Sequence, residues 1–230
     1  MATMELPRGS VVSESTIAAR LNASAEAAVG NTAAAMRQLE RVDEGEMSAG
    51  GARAPYDVFI NHRGVDTKHN VAQLLYYRLL RVSGGRVHSF LDNKSMRPGD
   101  RLGESIDEGI RQCRVAVAIF SKRYFDSEFC LHELASLVEA RKIIIPIFYG
   151  IKPSELILPQ AVADSNAHAL RDIERFRLAL QEVKYTVGIT YDPATGNLDK
   201  LVSKAANAVM ERIQETESVP RRRMMIASRL

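Results

Sequence analysis

Tryptophan is absent from the 230 residues, and there are only two cysteines, Cys113 and Cys130. Two cysteines cannot build a disulfide framework, and neither stands in a CxxC or Cys/His spacing, so no metal site is expected. A reducing compartment is the simplest reading, with cytoplasmic placement as the expectation. No uninterrupted apolar run approaches the ~20 residues of a membrane-spanning helix, so no span is expected. The first 50 residues also lack the apolar core of a secretory signal. No GxGxxG follows a strand-like run, and neither GxxxxGK(S/T) nor GxSxG occurs. These absences leave a Rossmann dinucleotide grip, a phosphate-cradling loop and a hydrolase elbow without support. An excess of one charge is missing as well, since the net charge is only +3. Four Arg and no acid fall in 218–230, while 1–54 carries five Arg against seven Asp/Glu. The body between them is close to neutral, so stable nucleic-acid binding is not expected.

What is present is ample for one core: 46% hydrophobic and 26% charged residues. Composition divides the chain into a flexible Ala/Ser-rich extension and linker (1–54), a folded domain (55–215) and a basic tail (216–230). Within the extension, Ser15–Val42 has helical spacing, but its apolar stripe is mostly alanine and buries little. From Tyr56 onward, short apolar runs alternate with helical periods. The runs are Tyr56–Asn61, Val87–Asp92, Val115–Ser121, Ile143–Gly150 and, more weakly, Thr186–Tyr191. VAVAIF and IIIPIF are nearly continuous, as expected of strands covered on both faces. Helical spacing holds over Val71–Val82, Leu102–Cys113, Leu131–Val138, Ser165–Val183 and Leu198–Ile213. Five strand-then-helix units predict an α/β, flavodoxin-like three-layer sandwich. Its five-stranded parallel sheet would run in order 2-1-3-4-5 with helices on both faces.

That order carries a consequence for function. Ligands of such sheets bind beyond the carboxyl ends of the strands, where the order reverses, here between strands 1 and 3. The segments delivered there are Asn61–Thr67 and Ser121–Asp126, with the long loop Asp92–Asp100 beside them. A phosphoryl-accepting receiver shares this topology but needs acids at the ends of strands 1 and 3. Those ends read Asn61-His62-Arg63 and Phe120-Ser121-Lys122, so that option closes.

Three phrases then carry a family resemblance. YDVFINHRGVDT at 56–67 resembles the YDVFxSFRGxDT opening of plant TIR (Toll/interleukin-1 receptor-like) domains. SFLDNKSMRPGDRLGESIDEGIRQCRVAVAIFSKRY at 89–124 is similar to their second strand, BB loop, second helix and third strand. SEFCLHELASLVEARKIIIPIFYGIKPSEL at 127–156 is similar to their WCLxELxxI segment and the PIFYxVxPS strand. The resemblance spans 55–215 and suggests a TIR-only protein of the grass type. It implies an NAD+ hydrolase (NAD+ nucleosidase) that breaks the nicotinamide–ribose bond. The products would be nicotinamide, ADP-ribose and cyclic ADP-ribose isomers serving as immune and cell-death signals. NAD+ would be the substrate, and no cofactor is implied. Residue by residue, the catalytic glutamate matches Glu133, the nucleotide contacts after strand 1 match Arg63 and Gly64, and the BB-loop contact matches Lys94. The chain departs from the family at Phe129 (usually Trp), Val65 (usually Glu) and Ala72-Gln73, where many members carry a Ser-His pairing surface.

The chemistry of a single carboxylate fits this reading. Nicotinamide leaves NAD+ as a neutral pyridine, so no general acid is needed, unlike at an O-glycosidic bond. What remains is to stabilise an oxocarbenium-like ribose, which one anion in a dry pocket can do. Glu133 stands off the Leu131/Leu134/Val138 stripe, so its replacement is expected to move stability by less than ~1 kcal/mol. Cys130, with no basic partner in sequence, reads as a small buried residue, and His132 reads as packing. Self-association through the BB loop and neighbouring helices is expected, because a polar Pro/Gly-punctuated loop is mobile and closes the cleft poorly by itself. The rival reading is a non-catalytic adaptor acting through homotypic TIR–TIR assembly, with Asp100, Arg101, Glu104 and Asp107 as interface.

Overall fold

In the computed structural model, which describes residues 55–164 and 169–227, VAVAIF is a fully buried strand in the middle of a five-stranded sheet. The strands are β1 (Val58–His62), β2 (Ser89–Phe90), β3 (Val115–Phe120), β4 (Ile143–Tyr149) and β5 (Ile189–Tyr191). All pairings are parallel, and the order is 2-1-3-4-5. The five main helices are α1 (Gln73–Val82), α2 (Leu102–Gln112), α3 (Glu128–Glu139), α4 (Leu170–Lys184) and α5 (Leu198–Ala227).

Strand alternation explains the three layers. Val115, Val117 and Ile119 point to one face and join Val58, Ile60, Leu75, Leu79 and Val209, under α1 and α5. Ala118 and Phe120 point to the other face and meet Leu131, Leu134, Phe176 and Leu180, under α3 and α4. A third cluster, Phe59, Phe90, Ile110 and Leu137, seats α2. The flavodoxin-like α/β architecture expected from the sequence is the one observed.

The connections differ from the sequence reading in three places. First, β2 is only Ser89–Phe90, and Asp92–Ser95 forms a helical turn where a loop was expected. Ser95 causes this: its hydroxyl accepts from the Leu91 N–H at 2.9 Å and donates to the Ser89 carbonyl at 3.3 Å. The first half of the Asp92–Asp100 segment is therefore tied to the strand end, while residues 97–100 are exposed. Second, a helical turn Gly64–Thr67 and a π turn Lys68–Ala72 run straight into α1, so helix begins immediately after β1. Third, α5 continues to Ala227, well past the 198–213 stretch whose spacing predicts it. The expectations for 1–54 fall outside the described residues.

Gly109 fixes how closely α2 approaches the sheet. A Cβ there would lie 2.7 Å from the Phe90 ring and 3.2 Å from that of Phe59, and these rings are stacked with centroids 5.0 Å apart. Both rings are buried. Gly109→Ala is expected to destabilise the fold by about 1–3 kcal/mol despite alanine's better helix propensity. Denaturant unfolding checks this; an unchanged or raised midpoint would show that the rings can shift.

Candidate active site

The sequence of β1, VFINH, is buried along its whole length although its last two residues are polar. Alternation sends Asn61 toward α3 and His62 toward the α1 face. A buried polar side chain needs partners, and Asn61, fully shielded from solvent, has three. Its amide nitrogen donates to Glu133 Oε2 at 2.9 Å and to the Cys130 carbonyl at 3.2 Å. Its carbonyl oxygen accepts from the Tyr124 hydroxyl at 2.5 Å. That hydroxyl also lies 2.9 Å from the Cys130 carbonyl, and Tyr124 is fully buried in the turn Tyr124–Asp126 after β3.

Helix α3 brings Glu133 to this point. Ser127 caps the helix, its hydroxyl accepting from the Cys130 N–H, and Leu131, Leu134, Ala135 and Leu137 are buried. Glu133 projects beside that stripe toward the end of β1. Burial pushes its carboxyl up to about 7; the Asn61 hydrogen bond works against the rise, and the Asp92 charge adds to it. The carboxylate is therefore half-buried, largely desolvated and held by one amide. Such a group favours a neighbouring positive charge strongly.

Arg63 and Gly64 follow on the same strand end. The Arg63 guanidinium pairs with Asp66 at 2.7 Å, and Asp66 in turn accepts from the Ser121 hydroxyl at 2.5 Å. The turn after β1 is thus anchored to the end of β3, across the switch point. This pairing uses one of the five N–H donors of the guanidinium. A Cβ on Gly64 would meet only Lys68 Cδ, at 3.9 Å, so the fold itself does not require glycine there. Lys94 sits in the Asp92–Ser95 turn with its ammonium 5.2 Å over the Tyr77 ring of α1. The geometry therefore gathers Glu133, Arg63 and Gly64 around one strand end, whereas Lys94 is seated on the α1 side. Asp92, two residues before Lys94, is what reaches the site: it pairs with Lys68 at 3.4 Å and couples to both Glu133 and His62.

The other candidates take quieter roles. Cys130 is buried, and desolvation pushes its thiol up to about 12, which makes it a poor nucleophile. His132 lies edge-on to Phe176, with ring centroids 4.8 Å apart. Phe129 and Val65 are exposed at 65% and 85%, leaving apolar surface at the rim rather than a closed wall. Sequence reasoning singled out neither Asn61 nor Tyr124. The available signal was a pair of polar residues, Asn61 and His62, closing an otherwise apolar strand. Among the described residues, no group of three or more His, Cys, Asp or Glu side chains is gathered as a metal ion would require. No described helix is long and apolar enough to cross a membrane.

Comparison with known proteins shows the family. The TIR domain family pattern matches residues 55–226. The chain is 58% identical over 218 residues to the probable 2' cyclic ADP-D-ribose synthase BdTIR of Brachypodium distachyon, covering 94% of this chain and 96% of that protein. It is 28% identical over 178 residues to TMV resistance protein N of Nicotiana glutinosa, covering 72% of this chain but only 15% of that much longer protein. Among solved structures, the TIR domains of the activated Roq1 resistosome superpose with a TM-score of 0.59 at 28% identity. That match covers 67% of this chain and 99% of the Roq1 chain.

Proposed function

The chain belongs to the TIR domain family, and from that premise we propose that it cleaves NAD+ at the nicotinamide–ribose bond, with Glu133 as the catalytic carboxylate. The products are nicotinamide, ADP-ribose and cyclic ADP-ribose isomers, which act as defence signals in the cytoplasm. The observation that carries this reading is the desolvated Glu133 carboxyl, pinned to the end of β1 at the switch point. The similarity to a cyclic ADP-ribose synthase over nearly the full length supports it.

The steps follow from charge. The C1'–N bond breaks with its electron pair going to the pyridinium nitrogen, so nicotinamide departs neutral. The ribose left behind is electron-poor at C1', and the ionised Glu133 stabilises that charge in a low-dielectric site. Water, or a hydroxyl of the same nucleotide, then bonds to C1' and loses its proton, giving the linear or the cyclic product. Arg63 offers a guanidinium and Gly64 a close backbone approach to the pyrophosphate, while Lys94, seated over Tyr77, would have to swing from α1 to add its charge. NAD+ is the substrate; no step needs a further cofactor. Purified protein incubated with NAD+ and analysed by chromatography tests the reading. Nicotinamide with ADP-ribose or its cyclic isomers is expected, and no release at high protein concentration would return the adaptor role to first place.

Assembly belongs to the same proposal. The Phe129 and Val65 rim is open, residues 97–100 are exposed, and Leu102 at the start of α2 is 48% exposed. A second copy docked through the BB loop and its neighbouring helix would exclude water from the cleft. Specific activity is therefore expected to rise with protein concentration. Rates strictly proportional to protein from nanomolar to tens of micromolar would show that one copy suffices.

A further inference from the structure

We propose that Asn61 is a positioning residue for Glu133: an amide clamp, itself oriented by Tyr124, that aims the carboxylate into the cleft. This rests on the NAD+-cleavage reading given above. The hydrogen-bond inventory fixes the clamp's orientation. Asn61 Nδ2 faces two acceptors, the Glu133 carboxylate and the Cys130 carbonyl, and its two N–H groups serve one each. Its Oδ1 faces the Tyr124 hydroxyl. Turned over, the amide would set its oxygen against both acceptors and its nitrogen against the hydroxyl. With Glu133 ionised, only the first orientation sets donors against both acceptors, and Asn61, Tyr124 and Cys130 are buried while the Glu133 carboxylate is half-buried.

The clamp also ties separate elements together. Asn61 stands on β1, Tyr124 in the turn after β3, and both acceptors on α3, three residues apart along the helix. One buried amide thus sets the distance from the first turn of α3 to the strand end, and with it the place of the carboxylate. The TIR pattern YDVFxSFRGxDT has serine where this chain has Asn61. A serine hydroxyl is shorter and has a single hydrogen, so it cannot bridge the two acceptors on α3 and accept from Tyr124 in the same way.

An N–H donor stabilises the charged form of a carboxyl, so Asn61 opposes the rise that burial imposes on Glu133. The other titratable groups coupled to Glu133 are Asp92 from the turn after β2, Tyr124, and Cys130 on α3 itself. Burial keeps the tyrosine and the thiol neutral across the working range, whereas the Asp92 charge adds to the rise.

The test compares the full-length wild type with Asn61→Leu, which keeps the branched skeleton but has neither donor nor acceptor, and Tyr124→Phe, which removes only the hydroxyl that orients the amide. Two readouts are taken: nicotinamide release as kcat and KM against pH, and thermal unfolding against pH. For Asn61→Leu, kcat should fall by about tenfold or more while KM changes little, the pattern of a lost transition-state interaction. The acid limb of its rate profile, and the pH at which its stability levels off, should both move upward. Tyr124→Phe should move both in the same direction by less. A folded Asn61→Leu with wild-type kcat and unmoved limbs would overturn the proposal. If that variant does not fold, Tyr124→Phe decides, and unchanged behaviour overturns it equally. Should the wild type release no nicotinamide, the NAD+ reading fails, and the unfolding series alone still shows whether Asn61 sets the charge of Glu133.

Discussion

Replacing Glu133 by Gln is expected to lower nicotinamide release by about a hundredfold or more, by analogy with deleting one preorganised electrostatic group from an active site. The substitution keeps the side chain's length, and the new amide can turn its oxygen toward Asn61. What disappears is the negative charge that the electron-poor ribose needs. Linear and cyclic products should vanish together, since both descend from the same intermediate. Product chromatography at matched concentrations of folded protein checks this. A rate within a few-fold of wild type, with the fold intact, would take Glu133 out of the mechanism.

The second large effect is on stability, and it runs in the opposite direction. The folded-state carboxyl of Glu133 titrates near 7 against an ordinary value of 4.5, because burial disfavours the charged form. The folded protein therefore binds this proton more tightly than the unfolded chain does. Its contribution is most favourable below the ordinary value, is lost progressively as pH rises from about 4.5 to about 7, and is level above that. A shift of this size corresponds to roughly 3 kcal/mol. Glu133→Gln cannot ionise, so its stability should lack that fall and exceed the wild type's at pH 8 by up to about 3 kcal/mol. Unfolding midpoints across pH 4–9 measure it, and superimposable wild-type and variant curves would show that the carboxyl is not desolvated. This prediction replaces, at neutral and alkaline pH, the shift below ~1 kcal/mol expected from the sequence. The inactive variant should be the sturdier protein, the usual sign of a site strained for function.

The reason for that correction shows what was and was not legible in the residues. VAVAIF and IIIPIF announced strands covered on both faces, and the helical periods between them left little choice but a parallel sheet in flavodoxin-like order. The switch-point rule together with the FCLHEL match then led to Glu133. Its environment was hidden, because helical geometry considers only the helix's own stripe. On α3 alone Glu133 is a flank position, and what buries it is the end of β1. That Asn61 rather than His62 faces α3 depends on strand register, which the letters VFINH do not reveal. His62 takes the other face, where burial holds its imidazole below the ordinary value and, among the described residues, its Nε2 has no hydrogen-bond partner. Pro98 and Gly99 dominate the pattern of the BB segment and predict a mobile loop, yet Ser95 closes the first half into a turn through two backbone partners. A lone serine hydroxyl carries no periodic signal.

A crystal structure of the protein with a non-hydrolysable NAD+ analogue would examine the whole assignment at once. The nicotinamide-bearing ribose should lie against the Glu133 carboxylate, with the pyrophosphate beside Arg63 and Gly64. The Asn61–Glu133 hydrogen bond should persist at close to its present 2.9 Å. An analogue bound instead in the groove at the opposite edge of the sheet, lined by Arg141, Lys142, Lys204 and Arg212, with Glu133 untouched, would contradict it.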